Sequence, residues 1–147
     1  MKTLIAYATK SGASRECAKL LADKLADCFL VDLSKQVPDI AGYDTVILGS
    51  GVRMGNIYKP MRGFIEKNRD ALLAKKIAIY LCNSYPNTFQ KAIEKNIPKE
   101  LTDRCLCIES LGGIPPFTSP KNRDWILLEH VDRLVQIIIS EESKTGL

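Results

Sequence analysis

Near its start the chain passes from an apolar run into a polar loop, Thr3-Leu4-Ile5-Ala6-Tyr7-Ala8 followed by Thr9-Lys10-Ser11-Gly12-Ala13-Ser14. A short apolar run of this kind is typical of a strand that is covered on both faces, as in a parallel sheet. The polar half supplies three hydroxyls and a glycine just before a helical pattern. Free N–H groups and the helix dipole make such a helix start favourable for an anion. An ordinary N-cap and turn has the same composition, so the loop alone leaves both interpretations open.

Four further apolar runs follow the first one along the chain. They are Phe29–Leu33, Thr45–Gly49, Ile77–Cys82 and Cys105–Leu111. Helical patterns alternate with them, which predicts a doubly wound α/β sheet of five parallel strands in the order 2-1-3-4-5, with helices on both faces. We expect one domain over residues 1–147. The ligand crevice of such a sheet lies outside the carboxyl ends of strands one and three.

The helices between the strands are predicted from apolar spacing and capping residues. The first spans Ser14 to Ala26, and the second begins at Pro60, a residue that suits a first helical turn. Asn87 is expected to cap the next helix, with Gln90 completing a capping box. Asp124 is expected to cap the last helix.

Composition and charge exclude several function classes. Of the 147 residues, 46% are hydrophobic and 26% charged, and the net charge of +4 is spread along the chain, so no nucleic-acid surface is expected. No apolar run reaches the roughly 18–20 residues of a membrane helix. With no signal-peptide pattern, we expect a cytoplasmic protein. The five cysteines form no CxxC pair, so we expect reduced thiols and no metal site.

Two more loops follow predicted strands on the same side of the sheet. The stretch Gly49-Ser50-Gly51-Val52-Arg53-Met54-Gly55-Asn56-Ile57-Tyr58 is rich in glycine, which lets the backbone approach a flat ligand closely. Cys82-Asn83-Ser84-Tyr85 follows strand four and offers polar groups beside an aromatic ring. Either Tyr58 or Tyr85 could stack on a planar ligand, or be a half-buried surface tyrosine.

The first loop resembles the phosphate loop of flavodoxins, which has the pattern T/S-x-T-G-x-T after strand one. This resemblance implies a flavodoxin-like fold with FMN as cofactor and its phosphate on Thr9-Lys10-Ser11-Gly12-Ala13-Ser14. The second loop is similar to the G-x-x-[IV]-R-x-G pattern of menaquinone-dependent protoporphyrinogen oxidases, a flavodoxin subgroup. The similarity covers roughly the first 110 residues. Those oxidases extend further after strand five, whereas here only residues 112–123 precede the last helix.

The expected cofactor contacts come from all three loops. They are Thr9, Lys10, Ser11, Gly12, Ala13, Ser14, Ser50, Gly51, Val52, Arg53, Met54, Gly55, Tyr58, Asn83, Ser84 and Tyr85. We expect no catalytic side chain, because the flavin would carry the redox chemistry. Cations at Lys10, Arg53, Lys59 and Arg62 suggest a positively charged rim, unlike that of acidic electron carriers.

Three functions remain open on the sequence alone. The first is FMN-dependent electron transfer with a redox partner protein or a small substrate, including dehydrogenation of a porphyrinogen with a quinone acceptor. The second is an FMN reductase that uses NAD(P)H or a quinone. The third is a binding domain with this fold and no redox activity.

Overall fold

The computed structural model describes residues 2–115 and 118–145, and a parallel sheet forms the centre of this part of the chain. Its strands are β1 (Thr3–Ala8), β2 (Cys28–Asp32), β3 (Thr45–Arg53), β4 (Asn56–Ile57), β5 (Lys76–Cys82) and β6 (Cys107–Ser110). Its α-helices are α1 (Ala13–Lys24), α2 (Lys59–Lys67), α3 (Arg69–Leu73), α4 (Phe89–Asn96), α5 (Lys99–Arg104) and α6 (Leu128–Thr145). The domain predicted for residues 1–147 also includes Met1, Pro116, Phe117, Gly146 and Leu147, which lie outside the described residues.

The strand order confirms the predicted topology. The sheet runs β2-β1-β3-β5-β6 with parallel pairing throughout, and the short β4 pairs antiparallel with the end of β3. Counted without β4, this is the order 2-1-3-4-5. Ala8 pairs with Ser50, and Gly51 pairs with Cys82, so the loops after three strands meet at one edge of the sheet.

Two apolar cores cover the two faces of the sheet. Side chains alternate between faces along each strand, so Leu4 and Val46 pack with α2 to α5, whereas Ile5 and Ile47 pack with α1 and α6. Both sets are fully buried. The nearly continuous apolar sequence of the strands follows from this double coverage.

Both predicted side-chain caps are wrong. The turn Pro86–Thr88 is a short 3₁₀ helix, and α4 begins after it with Thr88 at the N-cap, so Asn87 is not the cap. The last helix begins at Leu128, not beside Asp124. Before it, Ile126 pairs with Gly112 in an antiparallel bridge, and the Leu127 N–H donates to the Leu111 carbonyl at 3.1 Å. This pairing keeps residues 126–127 extended, so the helix can begin only after them.

The remaining differences concern short elements and the ends of longer ones. The sequence interpretation missed the short helices α3 and α5 and the hairpin partner β4, and β3 continues four residues beyond Gly49. Strand β6 is shorter than the predicted run 105–111. In the described residues, no helix combines the length and apolar character needed to cross a bilayer.

Candidate functional site

A cavity of about 790 Å³ lies at the carboxyl edge of the sheet, where the three loops meet. Its walls come from the loop after β1, the hairpin β3–β4, the loop after β5 and the segment after β6. The lining residues are Thr9, Lys10, Ser11, Ala13, Ser14, Gly51, Val52, Arg53, Met54, Gly55, Tyr58, Cys82, Asn83, Ser84, Tyr85, Thr88, Ile114, Pro115, Thr118 and Ser119.

The first wall is the loop that enters α1. Gly12 is the N-cap of this helix and has φ = 100°, a left-handed conformation that favours glycine. The Gly12 N–H donates to Thr9 Oγ1 at 2.8 Å, and the Glu16 N–H closes the first helical turn on the Gly12 carbonyl at 3.0 Å. No side chain caps this helix. The amides of its first turn therefore have no helical acceptor and are placed to bind an anion.

Two buried hydrogen bonds fix the start of α1 on the sheet. The Ser14 hydroxyl donates to the carbonyl of Ala8, the last residue of β1. The hydroxyl of Tyr80, on β5, donates to the Ser14 carbonyl at 2.8 Å. Ser14 is 1% exposed, so its hydroxyl holds the loop in place, while its backbone amide belongs to the first helical turn.

The second wall is a tight hairpin that joins β3 to β4. Val52 pairs with Ile57 and Arg53 with Asn56, which leaves Met54 and Gly55 as a two-residue turn. Both turn residues have positive φ, 53° and 79°, as a type I′ turn requires. Methionine rarely adopts this conformation, so the turn is locally strained.

Ser50 and Gly51 shape the base of this hairpin. The Ser50 hydroxyl donates to the Gly51 carbonyl at 2.8 Å and accepts the Tyr58 N–H at 3.2 Å. A Cβ on Gly51 would lie 2.7 Å from the Tyr58 ring, so the ring occupies the space that a side chain would need. Ser50 therefore stabilises the hairpin through these hydrogen bonds, and it does not line the cavity.

The third wall is the loop after β5. Asn83 is 4% exposed; its amide donates to Thr88 Oγ1 at 2.9 Å, and its carbonyl oxygen accepts the Tyr85 N–H at 3.1 Å. The Ser84 hydroxyl donates to the Ile114 carbonyl at 2.6 Å. The side chains of Asn83 and Ser84 therefore form their hydrogen bonds inside this wall. Tyr85, which is 64% exposed, lines the cavity beside them.

The lining is positively charged. In the described part of the chain it contains Lys10 and Arg53 and no aspartate or glutamate. The Lys10 ammonium lies 5.0 Å from the centroid of the Tyr58 ring, within the range of a cation–π contact. Burial raises the pKa of Tyr58, and the charge of Arg53 acts in the opposite direction. The predicted cations Lys59 and Arg62 do not line this cavity.

Cys82, the last residue of β5, also lines the cavity. Its Sγ lies 3.6 Å from Sγ of Cys17, on α1, and both thiols are buried and free. The hydrogen bond with Cys17, together with burial, raises the pKa of Cys82 well above its ordinary value. The thiol therefore stays protonated at neutral pH. Within the described residues, no group of three His, Cys, Asp or Glu side chains could hold a metal ion.

The structure brings most of the predicted contact residues to this one cavity. All of them except Gly12 and Ser50 line it, although whether they touch a cofactor stays a prediction. The sequence interpretation missed part of the lining, namely Cys82, Thr88, Ile114, Pro115, Thr118 and Ser119. The sequence did contain a signal for the lining residues that follow β6, from Ile114 to Ser119. The glycines at 112–113 end a predicted parallel strand, and the carboxyl ends of parallel strands lie at the same edge of the sheet.

A protein-family model described as a flavodoxin domain matches residues 4–114, which include all three loops. This chain belongs to the flavodoxin-domain family. The match confirms the flavodoxin resemblance that the loop after β1 first indicated.

This flavodoxin domain is also similar to individual proteins. Protoporphyrinogen IX dehydrogenase (quinone) of Escherichia coli strain K12 is 31% identical over 88 residues. The alignment covers 56% of this chain and 49% of that protein, so the chain spans about half the length of the curated relative it matches.

Solved structures share the fold at low sequence identity. Flavodoxin 2 of Bacillus cereus is 22% identical with a TM-score of 0.68, covering 96% of this chain and 99% of that one. Rubredoxin oxygen:oxidoreductase of Desulfovibrio gigas is 15% identical with a TM-score of 0.69, and the match covers 99% of this chain but 37% of that one. The flavodoxin of Fusobacterium nucleatum bound to flavin mononucleotide is 13% identical with a TM-score of 0.56, covering 96% and 99%.

Proposed function

We propose that this chain binds FMN in the 790 Å³ cavity and transfers electrons between redox partners or substrates. The family match and the FMN-bound relative support FMN as the cofactor. The single observation that carries the proposal is the cavity itself, in which an uncapped helix start and a tight hairpin face one space.

The donor set of the first loop suits a phosphate monoester. The first-turn amides of α1, the Ser11 hydroxyl and the Lys10 ammonium are all donors, and no side-chain cap competes for the helix start. Each hydrogen bond to a charged group contributes about 1.5–3 kcal/mol, so several of them can hold the phosphate without an arginine clamp.

The hairpin and the third loop suit the flavin ring. Gly51 and Gly55 line the cavity without a side chain, and Tyr58 and Tyr85 provide apolar surface. When bound, FMN supplies the redox chemistry, and the protein contributes position and electrostatics. Lys10 and Arg53 stabilise negative charge in the cavity, so they favour the reduced flavin relative to a site lined with acid.

A second, narrower function is favoured by the Escherichia coli relative. Its name indicates dehydrogenation of protoporphyrinogen IX with a quinone acceptor. We propose this reaction class as the specific form of electron transfer to test. An alternative within the same fold is reduction of the flavin by NAD(P)H.

Titration of the purified chain with FMN and with riboflavin tests the cofactor and the place of its phosphate together. We expect FMN to bind far more tightly than riboflavin, because riboflavin lacks the phosphate. Ser11→Glu adds a carboxylate to the loop and is expected to weaken FMN binding at least about tenfold. It should leave riboflavin binding unchanged. Ser140→Glu, on the exposed side of α6, is the matched control.

The outcomes separate the three functions. If neither flavin binds, the chain is a binding domain without redox activity. If both bind equally, the phosphate does not lie on this loop. With FMN bound, oxidation of protoporphyrinogen with a quinone acceptor supports the narrower function, whereas rapid reduction by NAD(P)H in its place supports the reductase.

A further inference from the structure

Asn96, the last residue of α4, reaches the cavity hairpin with its half-buried amide. Its Nδ2 donates to the Gly55 carbonyl and to the Ala92 carbonyl, both at 2.8 Å. Its Oδ1 accepts the Ile57 N–H and an Arg62 N–H, both at 3.3 Å. An asparagine side chain offers two N–H donors and two lone pairs, so every position of this amide is used.

The hairpin needs support from outside itself. Two residue pairs hold it, and a short two-stranded hairpin is at best marginally stable alone. Its turn also places Met54 at a φ that is unfavourable for a residue with a side chain. Met54 is 90% exposed, so packing does little to offset this strain. Asn96 donates to the Gly55 carbonyl and accepts the Ile57 N–H, so it holds the turn and the short strand that follows it.

We propose that Asn96 is a positioning residue that holds the Met54–Gly55 turn in the conformation the flavin meets. Because α4 follows the Tyr85 loop along the chain, the same residue ties the second wall of the cavity to the third. The flavin part of this inference rests on the proposed function. The hairpin part is a property of the protein alone and can be measured without flavin.

Hydrogen exchange of the apo-protein tests the hairpin part. Asn96→Ala is expected to increase amide exchange at residues 54–57 about fivefold to thirtyfold, the effect of losing one or two net hydrogen bonds. Asn96→Asp keeps an acceptor for the Ile57 N–H but cannot donate to the Gly55 carbonyl, so it should show a smaller increase over the same residues. Gln90→Ala is the matched control, because the Gln90 amide bonds to Glu94 on the exposed side of the same helix.

FMN titration of the same variants tests the flavin part. We expect Asn96→Ala to weaken FMN binding about fivefold to tenfold, and Gln90→Ala to leave it unchanged. The second substitution Met54→Asn creates Asn-Gly, the preferred dipeptide of a type I′ turn. If Asn96 holds a strained turn, Met54→Asn should restore most of the lost affinity in the Asn96→Ala background.

Several results would overturn the proposal. Unchanged exchange at residues 54–57 removes the hairpin part. Equal increases throughout α4 and the cavity loops, with no rescue by Met54→Asn, would show that Asn96 stabilises the fold in general. If wild-type protein binds no FMN while hairpin exchange still responds to Asn96→Ala, the proposed function falls, and the hairpin assignment stands.

Discussion

The hydroxyl of Tyr80 donates a hydrogen bond of 2.8 Å to the backbone carbonyl of Ser14, which joins β5 to the start of α1. Tyr80 is fully buried, and burial raises its pKa well above the ordinary value, so the hydroxyl remains a donor at neutral pH. The loop that enters α1 is therefore held by a core side chain as well as by its own chain neighbours.

Tyr80→Phe tests this connection. Removing the hydroxyl should lower the free energy of unfolding by about 1–2 kcal/mol, because the bond is lost and its buried acceptor is less well satisfied. FMN affinity should fall a few-fold and riboflavin affinity less, since the change acts on the phosphate loop. Denaturant unfolding and flavin titration measure the two effects. An unfolding midpoint equal to that of wild type would show that the bond contributes nothing.

Gly49 gives a second prediction about the same tyrosine. A Cβ at this position would lie 1.9 Å from Cζ of Tyr80, so Gly49→Ala forces the ring to move and should cost about 3 kcal/mol or more. Gly63 is the matched control, because it lies in α2 where a side-chain methyl would enter open space. Gly63→Ala should stabilise the protein by about 0.5–1 kcal/mol. Thermal unfolding compares the two variants, and similar losses in both would contradict the packing argument.

The strands and Gly49 show which features of the fold could be predicted from the sequence and which could not. Strand type and order were predictable, because runs such as Thr3–Ala8 are apolar on both faces and alternate with helical spacing. The reason for a glycine at position 49 could not be predicted, because it depends on Tyr80, thirty-one positions later. Tyr80 pairs with Gly49 on the neighbouring strand, and its ring fills the space of a side chain there.

The candidate site likewise has parts that could be predicted from the sequence and parts that could not. The loop between β1 and α1 could be located from the sequence because its hydroxyls and glycine are contiguous, whereas its binding of a phosphate stays a prediction. The hairpin could not be predicted, because methionine is not a residue typical of a tight turn. The conformation of this turn depends on the hydrogen bond that Asn96 donates to Gly55. The cap predicted at Asp124 failed because pairing between Gly112 and Ile126 overrides the local preference.

Arg53 provides a test of the positive rim. Arg53→Ala removes a cation from a cavity lined by no carboxylate in the described residues, so the reduced flavin loses stabilisation and its midpoint potential should fall by tens of millivolts. For one electron, about 59 mV corresponds to a tenfold change in the equilibrium constant. Arg53→Lys should keep most of the wild-type potential, and Lys67→Ala, on an exposed position at the far end of α2, should leave it unchanged.

Spectroelectrochemistry of the FMN-loaded protein measures this shift. Added salt should reduce the difference between wild type and Arg53→Ala, because screening weakens a charge at an exposed position. An identical midpoint in the two proteins would remove the electrostatic role assigned to Arg53.

The half-buried thiols of Cys105 and Cys107 predict how stability depends on pH. Burial raises the pKa of Cys105 to about 12 and that of Cys107 to about 11, with like-charge repulsion from Cys107 and Glu109 respectively as the second cause. In the unfolded chain these thiols ionise near the ordinary value of 9. Between about pH 9 and 12 the unfolded state therefore binds fewer protons than the folded state, and the free energy of unfolding falls as pH rises.

Serine substitutions separate this effect from the tyrosines that titrate in the same range. The variant Cys105→Ser/Cys107→Ser should lose less stability than wild type between pH 8 and pH 11, because serine does not ionise there. Below about pH 8 the two proteins should show parallel profiles, since the thiols are protonated in both states. Urea unfolding across this range measures the slopes, and parallel slopes above pH 9 would show that these two thiols do not govern the alkaline loss of stability.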